Sequence, residues 1–144
     1  MIVRLVVAAL LTAALLGVGL PAAETAHAER AATLAQDELV EFRETTARFR
    51  THNDATGPKQ PGAVRLHTLR VPAGTTVQLG VGPRNESLRW EHETRRGRVE
   101  TDLPFDGSLR LTAGAHRLRL RLVRADHGVR IRLRRFKSDA GATG

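Results

Sequence analysis

The chain has 144 residues, with 23 basic and 15 acidic side chains for a formal charge of +8, no cysteine, no tyrosine, one tryptophan and four phenylalanines. That length gives one small domain plus an address segment and excludes a two-domain enzyme, while the missing cysteine excludes a disulfide framework, a thiolate nucleophile and any sulfur-ligated zinc or iron–sulfur site. An aromatic content of 3% leaves the core to be filled chiefly by Leu, Val and Ala.

The opening Met1-Ile2-Val3-Arg4 is followed by LVVAALLTAALLGVGLPAA, so Leu5 to Ala23 carries no charge. A helix needs about 20 apolar residues to cross the hydrocarbon core of a bilayer, and residues 1–23 meet that length as a transmembrane anchor. A cleavable signal peptide accounts for the same residues, with Arg4 as its basic start, Pro21 as a breaker and Ala26-His27-Ala28 as the cleavage site. Both readings export the rest of the chain. Arg4 before the span and Glu24 and Glu29 after it place the amino terminus inside and the remainder outside, as a single-pass protein of the cytoplasmic membrane or, if cleaved, a secreted one.

Residues 24–52, ETAHAERAATLAQDELVEFRETTARFRTH, contain no Gly or Pro and are rich in helix formers. Ala32, Ala35, Leu39, Phe42, Thr46 and Phe49 recur at alternating spacings of three and four, which gathers them on one stripe of an amphipathic helix. Glu44 and Arg48 form an i, i+4 pair in the favourable order. The stripe packs either on the protein's own domain or on a partner helix. Residues 53–62 collect Asn53, Asp54, two Gly and two Pro and read as a linker.

Beyond the linker the period becomes two, with apolar sets at Val64 and Leu66; Thr75, Val77, Leu79 and Val81; Leu88, Trp90 and His92; Val99, Thr101 and Leu103; Leu109 and Leu111; Leu118, Leu120 and Leu122; and Val129, Ile131 and Leu133. Turns are written in Pro72-Ala73-Gly74, Gly82-Pro83-Arg84-Asn85, Arg96-Gly97, Asp106-Gly107, Ala113-Gly114 and Asp126-His127-Gly128. Short strands at this spacing predict a small antiparallel β-sandwich or curled sheet over residues 63–137, followed by a flexible tail, 138–144. The fold class is therefore mainly β with an N-terminal helix. Residues 63–137 hold 17 basic and seven acidic side chains, so the β domain carries the positive excess.

Because side chains alternate across a strand, Arg117, Arg119 and Arg121 share one face. Pairing of the last two strands through the Asp126-His127-Gly128 turn adds Arg130, Arg132 and Arg134 to that face. Like charges opposite one another are unfavourable, and Glu91, Glu93, Glu100 and Asp102 on outward positions of the preceding strands are the expected counter-charges, which would make the face a compensated, solvated one. The functional alternative is a site for anions or a partner: lipid headgroups, an acidic protein surface or nucleic acid. The scarcity of aromatics for stacking and the exported address argue against nucleic acid.

No catalytic constellation is apparent. The histidines, His27, His52, His67, His92, His116 and His127, lack metal-ligand spacing, and in Glu91-His92-Glu93 the His points opposite to its neighbours on a strand. Ser87, Ser108 and Ser138 lack a nucleophile-elbow context, and no glycine-rich loop precedes a helix. No enzyme activity, metal or cofactor is expected. Asn85-Glu86-Ser87 is a formal glycosylation sequon in a turn.

The order of parts, an apolar helix running on as an amphipathic one and then a small β domain, resembles type IV pilins, although only MIVR precedes the apolar run, without the small-residue cleavage point or early glutamate of pilins. The MIVRLVVAALLTAALLGVGLPA opening, the AERAATLAQDELVEF helix, the PGAVRLHTLRVPAG entry and the LTAGAHRLRLRLVR strand together resemble an uncharacterised haloarchaeal family of small single-pass membrane proteins, encoded beside type IV pilus-like or type II secretion-like genes. The VPAG and AGAHRLRL phrases are also similar to those of secreted bacterial β modules. The likeness to the haloarchaeal family implies an envelope accessory of a pilus-like or secretion-like assembly, with protein partners in that assembly. The alternative is a secreted, soluble β-sandwich module that recognises an extracellular polymer, as the likeness to secreted modules implies, or an anionic surface through its Arg face.

Overall fold

The computed structural model describes residues 1–56, 62–126 and 128–136, and among these the side chains of all but Val18 and Leu20. The predicted tail 138–144, residues 57–61 of the predicted linker and His127 of the last predicted turn lie outside the described residues.

Helix α1 runs from Ile2 to His52 without interruption, joining the predicted anchor and amphipathic segments into one element. Pro21 lies inside it, so the proline does not end the helix as the signal-peptide reading would have it. It has no amide to offer the carbonyl four residues earlier, which costs the helix one bond. The chain divides into two compact units, Met1–Arg30 and Ala31–Gly144. In the first unit every described side chain from Met1 to His27 is exposed. Its threonine hydroxyls are satisfied within the helix: Thr12 donates to the Ala8 carbonyl at 2.9 Å and Thr25 to that of Pro21 at 3.0 Å.

Among its described residues the second unit holds eight strands: β1 (Val64–Val71), β2 (Thr75–Val81), β3 (Ser87–His92), β4 (Arg95–Glu100), β5 (Phe105–Asp106), β6 (Leu109–Leu111), β7 (Gly114–Ala125) and β8 (Gly128–Arg135). They form two sheets of four, ordered β1-β7-β8-β5 and β4-β3-β2-β6. The inner faces are filled by Leu69, Val71, Leu118, Leu120, Leu122 and Ile131 from the first sheet and Val77, Leu79, Leu88, Trp90, Val99 and Leu111 from the second, all buried. One pairing departs from the antiparallel expectation: β5 runs parallel to β8. Leu103 and Phe105 are both drawn into the core, and the carbonyl of Pro104 between them accepts from the Ile131 amide at 2.8 Å, which sets β5 beside β8 in the same direction.

Residues 31–52 of α1 complete this core. Ala35, Leu39, Phe42, Thr46 and Phe49 are all buried, against the chain's own sheets rather than a partner helix. The Phe42 ring stacks on Phe105 of β5 at 6.1 Å and meets His67 of β1 edge-on at 5.4 Å. Thr46 donates to the Phe42 carbonyl at 2.7 Å, so its burial leaves no hydroxyl unpaired. Both sheets hold the helix. The Glu38 carboxylate accepts from the Arg70 amide on the free edge of β1 at 3.2 Å, and Arg43 donates to the Glu100 carbonyl on the edge of β4 at 3.4 Å.

Two local readings of the sequence are corrected. Val64 and Leu66, predicted to face inward, lie on the outer face and are 41% and 45% exposed, because β1 pairs Leu66 with Arg119 and Val64 with Arg121. A shift of one residue in a strand exchanges its faces, and it puts His67, Leu69 and Val71 inside. The turn predicted at Arg96-Gly97 lies instead at Glu93-Thr94, with Glu93 at φ 52°. Gly97 belongs to β4 opposite Trp90. A Cβ at Gly97 would overlap the Trp90 indole, whose Nε1 donates to Gln36 of α1 at 2.8 Å.

These contacts give three expected outcomes. Gly97→Ala should lower stability by about 1–3 kcal/mol through overpacking, measured by urea unfolding followed by Trp90 fluorescence; an unchanged midpoint would mean that the indole swings clear at no cost. Phe42→Ala should cost about 3–5 kcal/mol, and a loss below about 1 kcal/mol would show that the ring is not central to the core. Burial holds the His67 pKa below its ordinary value of 6.5, against the opposing pull of Glu41 and Glu38 and together with that of Arg65. Between the folded and unfolded values the unfolded chain binds more protons, so this contribution is complete above pH 6.5 and is lost as pH falls from there. His67→Leu should therefore flatten stability between about pH 7 and 5, and an unaltered pH profile would rule His67 out as its source.

Candidate functional site

The six arginines of the predicted ladder meet on the outer face of the first sheet, where β7 and β8 are the two central strands. Both carry Arg at every second position because the intervening Leu and Ile side chains are claimed by the core. The hairpin register sets Arg119 opposite Arg134 and Arg121 opposite Arg132, while Arg130 stands opposite Val123. Arg119, Arg121, Arg132 and Arg134 line a depression of about 170 Å³. Arg117 and Arg130 flank it, one toward each end of the hairpin. The Arg117 guanidinium stacks over the Phe136 ring, 5.6 Å from its centroid, with the Phe136 amide donating to the Arg117 carbonyl at 2.8 Å.

The neighbours of this face are apolar on one side and acidic on the other. On β1, Leu66 and Val64 sit beside Arg119 and Arg121. On β5, Asp106 sits beside Arg132 and accepts from its Nε at 3.2 Å. At 31% and 40% side-chain exposure this pair is a surface contact of modest strength. Val123 is buried because residue 56 takes the place beside β7 that β1 vacates: Thr56 bridges to Val123 and its carbonyl accepts from the Arg124 amide at 2.9 Å.

The expected compensation by Glu91, Glu93, Glu100 and Asp102 is overturned. Glu91 and Glu100 lie on β3 and β4, Glu93 lies in their connecting turn and Asp102 follows β4. Those strands belong to the other sheet, whose outer side faces away from the Arg face across the core. Glu100 and Glu91 have basic neighbours on their own sheet instead. Arg98 pairs with Glu100 at 2.8 Å and donates to the Ser87 hydroxyl at 2.8 Å, and Glu91 stands opposite Arg96. Asp106 was the counter-charge that sequence reasoning missed, since a two-residue parallel strand leaves no periodicity to read.

Two histidines serve the core. His92 is buried, with Nδ1 3.0 Å from the Thr75 hydroxyl, while Glu91 beside it is exposed. His67 faces Phe42 on the inner side of β1. Among the described residues no three His, Asp or Glu side chains converge as metal ligands.

No curated protein and no solved structure matches the chain. A family model described as a domain of unknown function, DUF7311, matches residues 2–136. The apolar helix, its buried stripe and both sheets with the Arg face all fall within that span, and the chain belongs to the DUF7311 family.

Proposed function

We propose that this protein is a non-enzymatic envelope component, held in the cytoplasmic membrane by the start of α1 with its β domain outside, where it serves a pilus-like or secretion-like assembly. The observation that carries the reading is the first unit: a helix long and apolar enough to cross a membrane, exposed in every described side chain from Met1 to His27 and with its threonine hydroxyls bonded to its own carbonyls. Hydrocarbon demands that kind of internal satisfaction. Arg4 ahead of the apolar run supports an amino terminus on the cytoplasmic side. The likeness to haloarchaeal single-pass proteins encoded beside pilus-like and secretion-like genes supports the assembly. A binding rather than catalytic role is favoured by a side-chain inventory without cysteine and by His67 and His92 being turned to the core. Since Leu39 and Phe42 are core residues, contacts within such an assembly fall to other surfaces.

Fractionation of the natively expressed protein with intact-mass determination tests the anchor. The expected result is an uncleaved chain in the membrane pellet, released only by detergent. A soluble form beginning near Glu29 would overturn it and leave an exported β-sandwich module for an anionic surface or polymer. Deletion of the gene should reduce surface filaments or secreted protein; an unchanged filament count and unchanged secreted proteins would overturn the assembly role.

A further inference from the structure

We propose that Arg119, Arg121, Arg132 and Arg134 form a binding site for a phosphate-type oxyanion. The site stands on the β domain alone and does not depend on the membrane anchor. Register forces the crowding: Arg119 faces Arg134 and Arg121 faces Arg132, at the roughly 5 Å separation of cross-strand pairs, with about 7 Å between the two rows. The side chains cannot rotate inward, because Leu118, Leu120, Leu122 and Ile131 fill the inner face. On this outer face, among the described strand positions of β1, β5, β7 and β8, Asp106 is the acidic residue, and it engages Arg132 through Nε, leaving the terminal nitrogens of Arg132 for a ligand. Like charges so placed repel, and a bound polyvalent anion removes that repulsion.

The placing of guanidinium groups on two strands selects the chemistry. A carboxylate offers two oxygens in one plane and fits a single guanidinium fork. A phosphate offers oxygens in several directions and accepts forks from both strands at once. The volume, about 170 Å³, is several times the ~30 Å³ share of one water molecule, so a multi-atom anion has room. Two sources can present this group, a soluble phosphate and a phospholipid headgroup; exposed Leu66 and Val64 on the β1 side would meet the apolar part of the latter.

The test uses the full chain in maltoside micelles, which contain no phosphate, with thermal unfolding read from Trp90, the single tryptophan, which lies in the β-domain core. Inorganic phosphate is compared with chloride at equal ionic strength. Separately, phosphatidylglycerol is added to the micelles with inorganic phosphate absent. Arg119→Gln/Arg134→Gln removes one fork from each strand, and Arg119→Lys/Arg134→Lys keeps the charge but not the fork. A soluble-phosphate site is supported if phosphate raises the wild-type Tm by roughly 5 °C or more near saturation, with the shift at least halved in both variants. A headgroup site is supported if phosphatidylglycerol does so under the same comparison. The Gln variant should also melt higher than wild type at low salt, through relief of repulsion. Equal phosphate shifts in wild type and Gln variant would be a general salt effect and would overturn the site; so would no shift from either additive. Equal shifts in wild type and Lys variant would reduce the site to diffuse charge and overturn the fork geometry.

Discussion

The packing of α1 against both sheets is the contact on which the rest of the domain depends. Two four-stranded sheets are lined mainly by Leu, Val and Ile, and a chain with 3% aromatics has few large side chains to place between them and the helix. Phe42 and Phe49 come from the helix, Phe105 and Trp90 from the strands. The stacked Phe42–Phe105 pair and the edge-on His67 tie the helix to the first sheet. The Trp90–Gln36 bond ties it to the second. Gly97 is part of the same arrangement, because the indole reaches Gln36 by lying over a residue that has no side chain.

That arrangement also manages the sheet edges. β1 and β4 are edge strands, whose unpaired backbone groups would otherwise be open to pairing with another chain. Glu38 engages an amide of the first and Arg43 a carbonyl of the second. The helix thereby fills the core with one stripe and occupies backbone groups of both edges with the residues beside it.

The Arg face follows from the core by the geometry of a strand. Once the even-numbered Leu positions of β7 are committed inward, the odd-numbered Arg positions have one place to go, and β8 repeats the constraint with opposite direction. The resulting crowding lies on the two central strands of the sheet, where no edge offers relief, and the carboxylates that balance charge elsewhere in the domain sit on the other sheet. Asp106 reaches the face only because the segment after β4 crosses between sheets to bury Leu103 and Phe105.

By itself the sequence determined the elements whose signal is local and strong. Residues 5–23 could be read as an apolar span, residues 35–49 as an amphipathic stripe and β7–β8 as an Arg-lined hairpin, because 3.6-residue and 2-residue periods are written along the chain and need no partner to be seen. Tertiary structure decided whatever depended on which strands meet. Val64 and Leu66 read as an apolar set, but β1 has His67, Leu69 and Val71 on its other face, and pairing with β7 chose between the two. Arg96-Gly97 reads as a turn until Trp90 requires the glycine for space. The counter-charges of the Arg face could not be assigned from alternation, since alternation says which side of its own sheet a residue occupies and nothing about which sheet that is. The parallel β5, two residues long, owes its place to the burial of Leu103 and Phe105, and a segment so short has no period of its own.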